Sequence, residues 1–153
     1  TLCHASGSLG MGGGQAIDLF MTNKASDLAT LESMHRMKTG ALISASVKLG
    51  FLASECEDQV IATQLDMYSQ SLGLAFQIKD DILDIESDTE TLGKPQGSDI
   101  DKNKLTFPAL LGLDGAKQRA NELVERALDA LERIPLNSEK LSDFAQFIVT
   151  RRH

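Results

Sequence analysis

Apolar residues return every three or four positions along most of this chain, and nowhere do they alternate with polar ones for long. The clearest case lies between Asp114 and Ile134, where positions 116, 120, 123, 124, 127, 128, 131 and 134 are apolar and the charges fall between them. That period places one apolar stripe on a surface helix of a bundle. Asp114 is expected to cap its start, and Pro135 stops it. The same reading gives a helix from Asp27 to about Leu52 with Ser26 as its N-cap. Another runs from Ser54 or Glu55 to about Ser87. A short helix is expected from Thr106 to near Gly112, with Pro108 in its first turn. A last helix opens at Ser138 and runs to Arg151-Arg152-His153. Residues 88–105 read as loop because Gly93, Pro95, Gly97, Ser98, Asp99 and Asn103 break any periodicity. The expectation is one all-α domain spanning residues 1–153.

Composition narrows the choice of partner. Net charge is −7, which argues against nucleic acid, since phosphate backbones recruit clusters of Lys and Arg. No apolar run approaches the length of a membrane span. Cys3 and Cys56 are too few for a disulfide or zinc framework, so two buried, reduced thiols in a cytoplasmic protein are expected. The chain opens at Thr1 rather than Met and shows no signal peptide, which reads as a fragment.

Three stretches then carry residues that stability alone does not ask for. In Gly73-Leu74-Ala75-Phe76-Gln77-Ile78-Lys79-Asp80-Asp81-Ile82-Leu83-Asp84, a helix sets Gly73, Gln77, Asp80, Asp81 and Asp84 within roughly a 100° arc. Leu74, Ile78, Ile82 and Ile85 lie opposite. Carboxylates three or four residues apart repel by about 0.2–0.5 kcal/mol per pair, and a divalent cation removes that cost. Mg²⁺ favours one or two carboxylates, several waters and phosphate oxygens. The stretch is therefore half of a magnesium–diphosphate site or a solvated acidic face.

Lys38 falls on the stripe of Leu31, Leu42, Ala45 and Leu49, and a lysine there either snorkels to solvent or faces a cavity holding an anion. Thr39 and Gly40 follow it; glycine permits close packing. Gly93-Lys94-Pro95-Gln96-Gly97-Ser98-Asp99 with Lys102 and Lys104 offers point charges to an anion, or is a hydrophilic surface loop. Gly10 to Gly14, interrupted by Met11, lets another backbone or a ligand come near.

In chain order, Gly13-Gly14-Gln15-x-x-Asp18-Leu19, Lys38-Thr39-Gly40-Ala41-Leu42, Phe76-Gln77-x-x-Asp80-Asp81-Ile82-Leu83-Asp84 and Gly93-Lys94-x-x-Gly97-x-Asp99 with Asn103-Lys104-x-Thr106-Phe107-Pro108 resemble the motifs of the trans-isoprenyl diphosphate synthases. The nearest type is the bacterial farnesyl diphosphate synthase, or geranyltranstransferase. The resemblance implies a helical bundle around a deep cavity, usually as a homodimer. It implies an enzyme that joins an allylic diphosphate to isopentenyl diphosphate with Mg²⁺. By position, Asp80 is then the foremost metal ligand, with Asp84 one turn on and Asp81 in support. Lys38, Lys94 and Lys104 hold the allylic diphosphate. Thr39 and Gln77 line the cation side, Phe76 lies near the isopentenyl group, and Asp18 and Gln15 border the cavity. Arg151 and Arg152 belong to a tail that can close over the site.

Members of that family are about twice as long, and the part bearing their first aspartate-rich motif has no counterpart here. These 153 residues are accordingly expected to be the C-terminal part of the domain, inactive in isolation and prone to self-association. The alternative is a non-catalytic helical subunit that binds and modulates a partner prenyl synthase. A bare assembly domain with a relic motif is the third reading.

Overall fold

Helices α1 (Leu2–Ser6), α2 (Met11–Met21) and α3 (Leu28–His35) lead into a π-turn, Arg36–Gly40. After it come α4 (Ala41–Ala53), α5 (Gln59–Leu92), α6 (Phe107–Glu132) and α7 (Glu139–Thr150). The structure, a computed structural model, describes residues 1–24, 26–92 and 105–151, with the backbone alone for 87–92. Among the described residues there is no strand, so the all-α expectation holds.

Local chemistry decides where these helices begin. Asp27, one residue beyond the expected cap, accepts the Thr30 amide at 2.8 Å and so caps α3. The Thr30 side chain first, and then this amide, hold the Asp27 carboxyl below the ordinary value, and a carboxylate suits the positive end of a helix. The helix expected from Ser54 or Glu55 starts instead at Gln59. Glu55 turns left-handed with φ of 57°, and Asp58 then accepts Val60 N at 2.7 Å and Ile61 N at 3.3 Å. The short helix expected from about Thr106 begins there, with Thr106 as its cap, and a sharp kink at Gly112, with φ of 73°, separates this first piece from the rest of α6.

Helix α5 is the centre of the bundle. Leu74, Ile78 and Ile82 are buried against α6, whose Ala116, Ala120, Ala127 and Ala130 let the two axes come close. The predicted stripe on α6 is the face that is buried, with Leu128 only partly covered. The opposite side of α5 is covered as well: a Cβ on Gly73 would stand 2.9 Å from the Gly40 Cα. Burial on both sides explains why this helix tolerates so few charges over its middle.

Two polar ties join the outer helices to this core. The Tyr68 hydroxyl donates to the Leu141 carbonyl at 2.9 Å, and burial pushes that phenol up to about 12. Burial alone would raise the Glu32 carboxyl, but Arg119 at 2.9 Å and Arg36 at 3.1 Å outweigh it and hold it low. The expectation of two buried thiols fails: both cysteines are free, but Cys3 is exposed and Cys56 only half-buried. No helix among the described residues is long and apolar enough to cross a membrane.

Candidate active site

The π-turn Arg36–Gly40 presents Lys38 and Thr39 to the centre of the molecule. Hydrogen bonds to the fifth residue widen a helix by one residue, and such turns collect at functional sites. Two glycines fit against it. A Cβ on Gly14 would come within 2.2 Å of the Lys38 amide nitrogen, so α2 rests directly on the turn's backbone. Gly73 of α5 does the same from the other side, against Gly40. The close approach expected of the glycine cluster is therefore made to the lysine-bearing turn.

Lys38 Nζ lies 2.7 Å from Asp18 Oδ2, with about a fifth of each side chain exposed. Lys38 joins the wall of a cavity, while its ammonium is held by Asp18, which lines a separate small cleft with Met21, Thr22, Met34 and Leu105. Gln15, on the turn before Asp18, is exposed. Next to Lys38, Thr39 Oγ1 donates to Gln77 Oε1 at 3.1 Å. Gln77 Nε2 in turn donates to Asp81 Oδ1 at 3.2 Å, and Phe107 N donates to Asp81 Oδ2 at 3.0 Å.

The three aspartates thus have three environments. Asp81 is buried at 7% exposure and turned toward α6. Asp80 is about a third exposed and pairs with the Arg151 guanidinium. Arg151 also donates to the Phe76 carbonyl at 3.3 Å and stacks 4.3 Å above the Phe76 ring. Asp84, one turn on, faces solvent.

Beside these groups opens a cavity of about 370 Å³. Lys38, Thr39 and Phe76 form one part of its wall; Leu42, Ile43, Phe144 and Ile148 form the rest. Its lining is almost wholly apolar, with Lys38 and Thr39 on the wall and the Lys38 ammonium held by Asp18. That suits the hydrocarbon body of a ligand. Lys94, Lys104 and Arg152 lie outside the described residues.

A sequence model of the polyprenyl synthetase family matches residues 4–140. The chain belongs to that family. Among similar family members is a farnesyl diphosphate synthase of Haemophilus influenzae. It is 46% identical over 152 residues, which are 99% of this chain and 51% of that protein. A farnesyl diphosphate synthase of Escherichia coli is also 46% identical, over 98% of this chain and 51% of its own length. The structure resembles a Helicobacter pylori geranyltransferase complexed with magnesium and isoprenyl diphosphate. The TM-score is 0.77 at 33% identity, over 95% of this chain and 48% of that one. This chain spans about half the length of the curated relatives it matches.

Magnesium accompanies the ligand in that Helicobacter pylori family member, and the carboxylates beside the cavity here bear on whether this chain's donors fit it. Asp80 and Asp84 are hard oxygen donors one turn apart, about 6 Å along the axis. Among the described residues no three acidic, histidine or cysteine side chains stand close enough to hold a metal by themselves. Mg²⁺ does not ask for such a cage; it is held by one or two carboxylates together with phosphate oxygens and waters. The set fits magnesium that arrives with a diphosphate.

Sequence reasoning did not find Arg151 on Asp80, nor Phe144 and Ile148 in the cavity wall. Arg151 directly follows α7, and only the packing of α7 on α5 brings it there, together with Phe144 and Ile148 of that helix. Their spacing on α7 does mark one apolar face, four residues apart.

Proposed function

We propose that these residues form the diphosphate-binding wall of a Mg²⁺-dependent prenyltransferase of the farnesyl diphosphate synthase type. It condenses an allylic diphosphate with isopentenyl diphosphate. The observation that carries the reading is the meeting of Lys38, Thr39 and Phe76 on the wall of one largely apolar cavity, with Asp80 beside it. In that reaction the allylic C–O bond breaks and its electron pair leaves with pyrophosphate. The double bond of isopentenyl diphosphate then forms the new C–C bond, and the resulting cation gives a proton to the released pyrophosphate, which restores a double bond. Magnesium bound at Asp80 and Asp84 would neutralise charge on the departing pyrophosphate.

Lys38 meets the same charge as a point donor. Its exchange from Asp18 to a phosphate oxygen keeps the ammonium paired throughout. Thr39 and Gln77 supply oxygen dipoles that steady the electron-poor allylic carbon without attacking it. The apolar wall of Leu42, Ile43, Phe144 and Ile148 keeps water from that carbon. Lys94 and Lys104 add further cations to the diphosphate in this proposal. The working enzyme would be a homo-oligomer that also uses the length of its relatives not spanned here. The 153 residues alone bind the anion but do not turn over.

Calorimetry with magnesium pyrophosphate tests this directly. The chain should bind it, and Lys38→Met and Asp80→Asn should each weaken binding by about 10-fold or more, as loss of a hydrogen bond to a charged group implies. Absence of binding, or indifference to both substitutions, would refute the reading. Steady turnover by the 153 residues in isolation would refute the division of labour.

Exposed Leu9, Leu19 and Phe20 support a second reading, a helical subunit that docks on a partner prenyl synthase. That reading predicts a changed product yield from the partner which survives Lys38→Met and Asp80→Asn.

A further inference from the structure

Asp81 belongs to the acidic stretch by sequence, but its surroundings differ from those of Asp80 and Asp84. Its two oxygens accept from groups on different elements: the Phe107 backbone amide at the start of α6 and the Gln77 side-chain amide on its own helix. An ionised carboxylate can only accept hydrogen bonds. The end of Gln77 that faces it must therefore be the NH₂, and the Gln77 oxygen must point the other way, toward Thr39. The Thr39 hydroxyl commits its one hydrogen to that oxygen at 3.1 Å. Where the Thr39 oxygen meets the cavity whose wall Thr39 joins, it can offer only lone pairs and not an O–H. A chain of three hydrogen bonds, begun at a buried backbone amide, thus fixes which polarity the cavity sees.

The geometry points to Asp81 as a positioning residue rather than a metal ligand. Through Gln77 it sets the Thr39 hydroxyl with its oxygen toward the developing allylic cation. The inference rests on the prenyltransferase reading and adds a role within it. It is sharp because the relay has a direction. An asparagine side chain at position 81 has one oxygen and one NH₂. If its oxygen keeps the Phe107 amide, its NH₂ faces the Gln77 NH₂. Gln77 must then turn over, and its NH₂ forces Thr39 to accept and to aim its hydrogen at the cavity. Exchanging both residues restores the direction. With Gln77→Glu beside Asp81→Asn, the carboxylate now at position 77 accepts from the amide now at position 81 with one oxygen and from Thr39 with the other. The charge of the pair is unchanged.

The test compares the parent chain with Asp81→Asn, the double exchange Gln77→Glu/Asp81→Asn, and Asp80→Asn. Two ligands are titrated: magnesium pyrophosphate alone, and magnesium pyrophosphate with an allylic ammonium compound that mimics the cation. Asp81→Asn should bind magnesium pyrophosphate within about 2-fold of the parent but lose about 10-fold or more in binding of the ammonium compound. The double exchange should recover that loss to within about 3-fold. Asp80→Asn should instead weaken magnesium pyrophosphate itself.

The inference is overturned if Asp81→Asn weakens magnesium pyrophosphate as much as Asp80→Asn does, because Asp81 is then a metal ligand. It is also overturned if the double exchange melts like the parent yet recovers nothing. If Asp80→Asn has no effect on magnesium pyrophosphate, the prenyltransferase reading itself has failed, and that result is distinct from both. Melting temperatures of all four proteins separate loss of the relay from loss of the fold.

Discussion

Alanine at Gly14 probes the contact on which the lysine-bearing turn rests. The added Cβ would lie 2.2 Å from Lys38 N, 2.6 Å from its Cα and 2.8 Å from its Cβ. Carbon atoms make good contact only at about 3.5–4.0 Å, and two of these three are backbone atoms that cannot swing aside. Overpacking of that kind costs about 1–3 kcal/mol. It is opposed by a gain of up to about 1 kcal/mol from replacing glycine with alanine in a helix. Gly50, in α4, isolates the two effects, since a Cβ there meets nothing within 4 Å. Gly50→Ala should therefore stabilise, and Gly14→Ala should fall below it by the clash alone, about 1–3 kcal/mol. Urea titrations with equal slopes give the difference directly, and for a chain of this size it corresponds to roughly 2–12 °C in melting temperature. Magnesium pyrophosphate affinity should drop with Gly14→Ala and not with Gly50→Ala. If the two variants agree in stability within about 0.5 kcal/mol, the close packing of α2 on the turn is wrong.

Tyr68→Phe should cost about 1–2 kcal/mol, because the Leu141 carbonyl loses its donor. Since the folded phenol holds its proton to about 12 against an ordinary 10.0, that stability is complete below pH 10 and is lost as pH rises toward 12. Tyr68 is the only tyrosine and there is no tryptophan, so tyrosinate absorbance reports it alone; a titration near pH 10 would refute the burial argument. Arg119→Met leaves Glu32 with Arg36 only, so the carboxyl should titrate higher. Stability held above the ordinary carboxylate range should then be lost at a higher pH on acidification, and an unmoved acid midpoint would count against it. Arg151→Met removes a cation from Asp80 and should tighten magnesium binding by about 2–5-fold, since two cations then no longer compete for one carboxylate. Weaker binding would mean that Arg151 helps to hold the ligand.

The parts of the site that were legible in the sequence are those whose chemistry contradicts their setting. A lysine on an apolar stripe and carboxylates crowded on one face stand out because each would be costly without a partner. The α6 stripe was equally plain, because nothing competes with its 3.6-residue period. The start of α5 was misplaced since Glu55 takes a left-handed turn without glycine or asparagine to announce it. The separate fates of Asp80, Asp81 and Asp84 could not be read from spacing. They depend on α6 arriving at Asp81 with Phe107 N and on α7 arriving at Asp80 with Arg151.

The π-turn carries one more consequence, which concerns residue count rather than residue type. A helix with i to i+5 bonds holds one residue more than an α-helix of the same span. Deleting one residue from Arg36 to Gly40 would let α3 and α4 fuse into one regular helix of the same span, its two halves keeping their relative rotation. Leu31 and Met34 would then keep their places in the core and Leu42 and Ile43 theirs at the cavity. Closing the turn into α-helix at full length would instead turn one half against the other by about 100°. A relative one residue shorter there can keep the pocket, but it gives up the widened turn that carries Lys38 and Thr39.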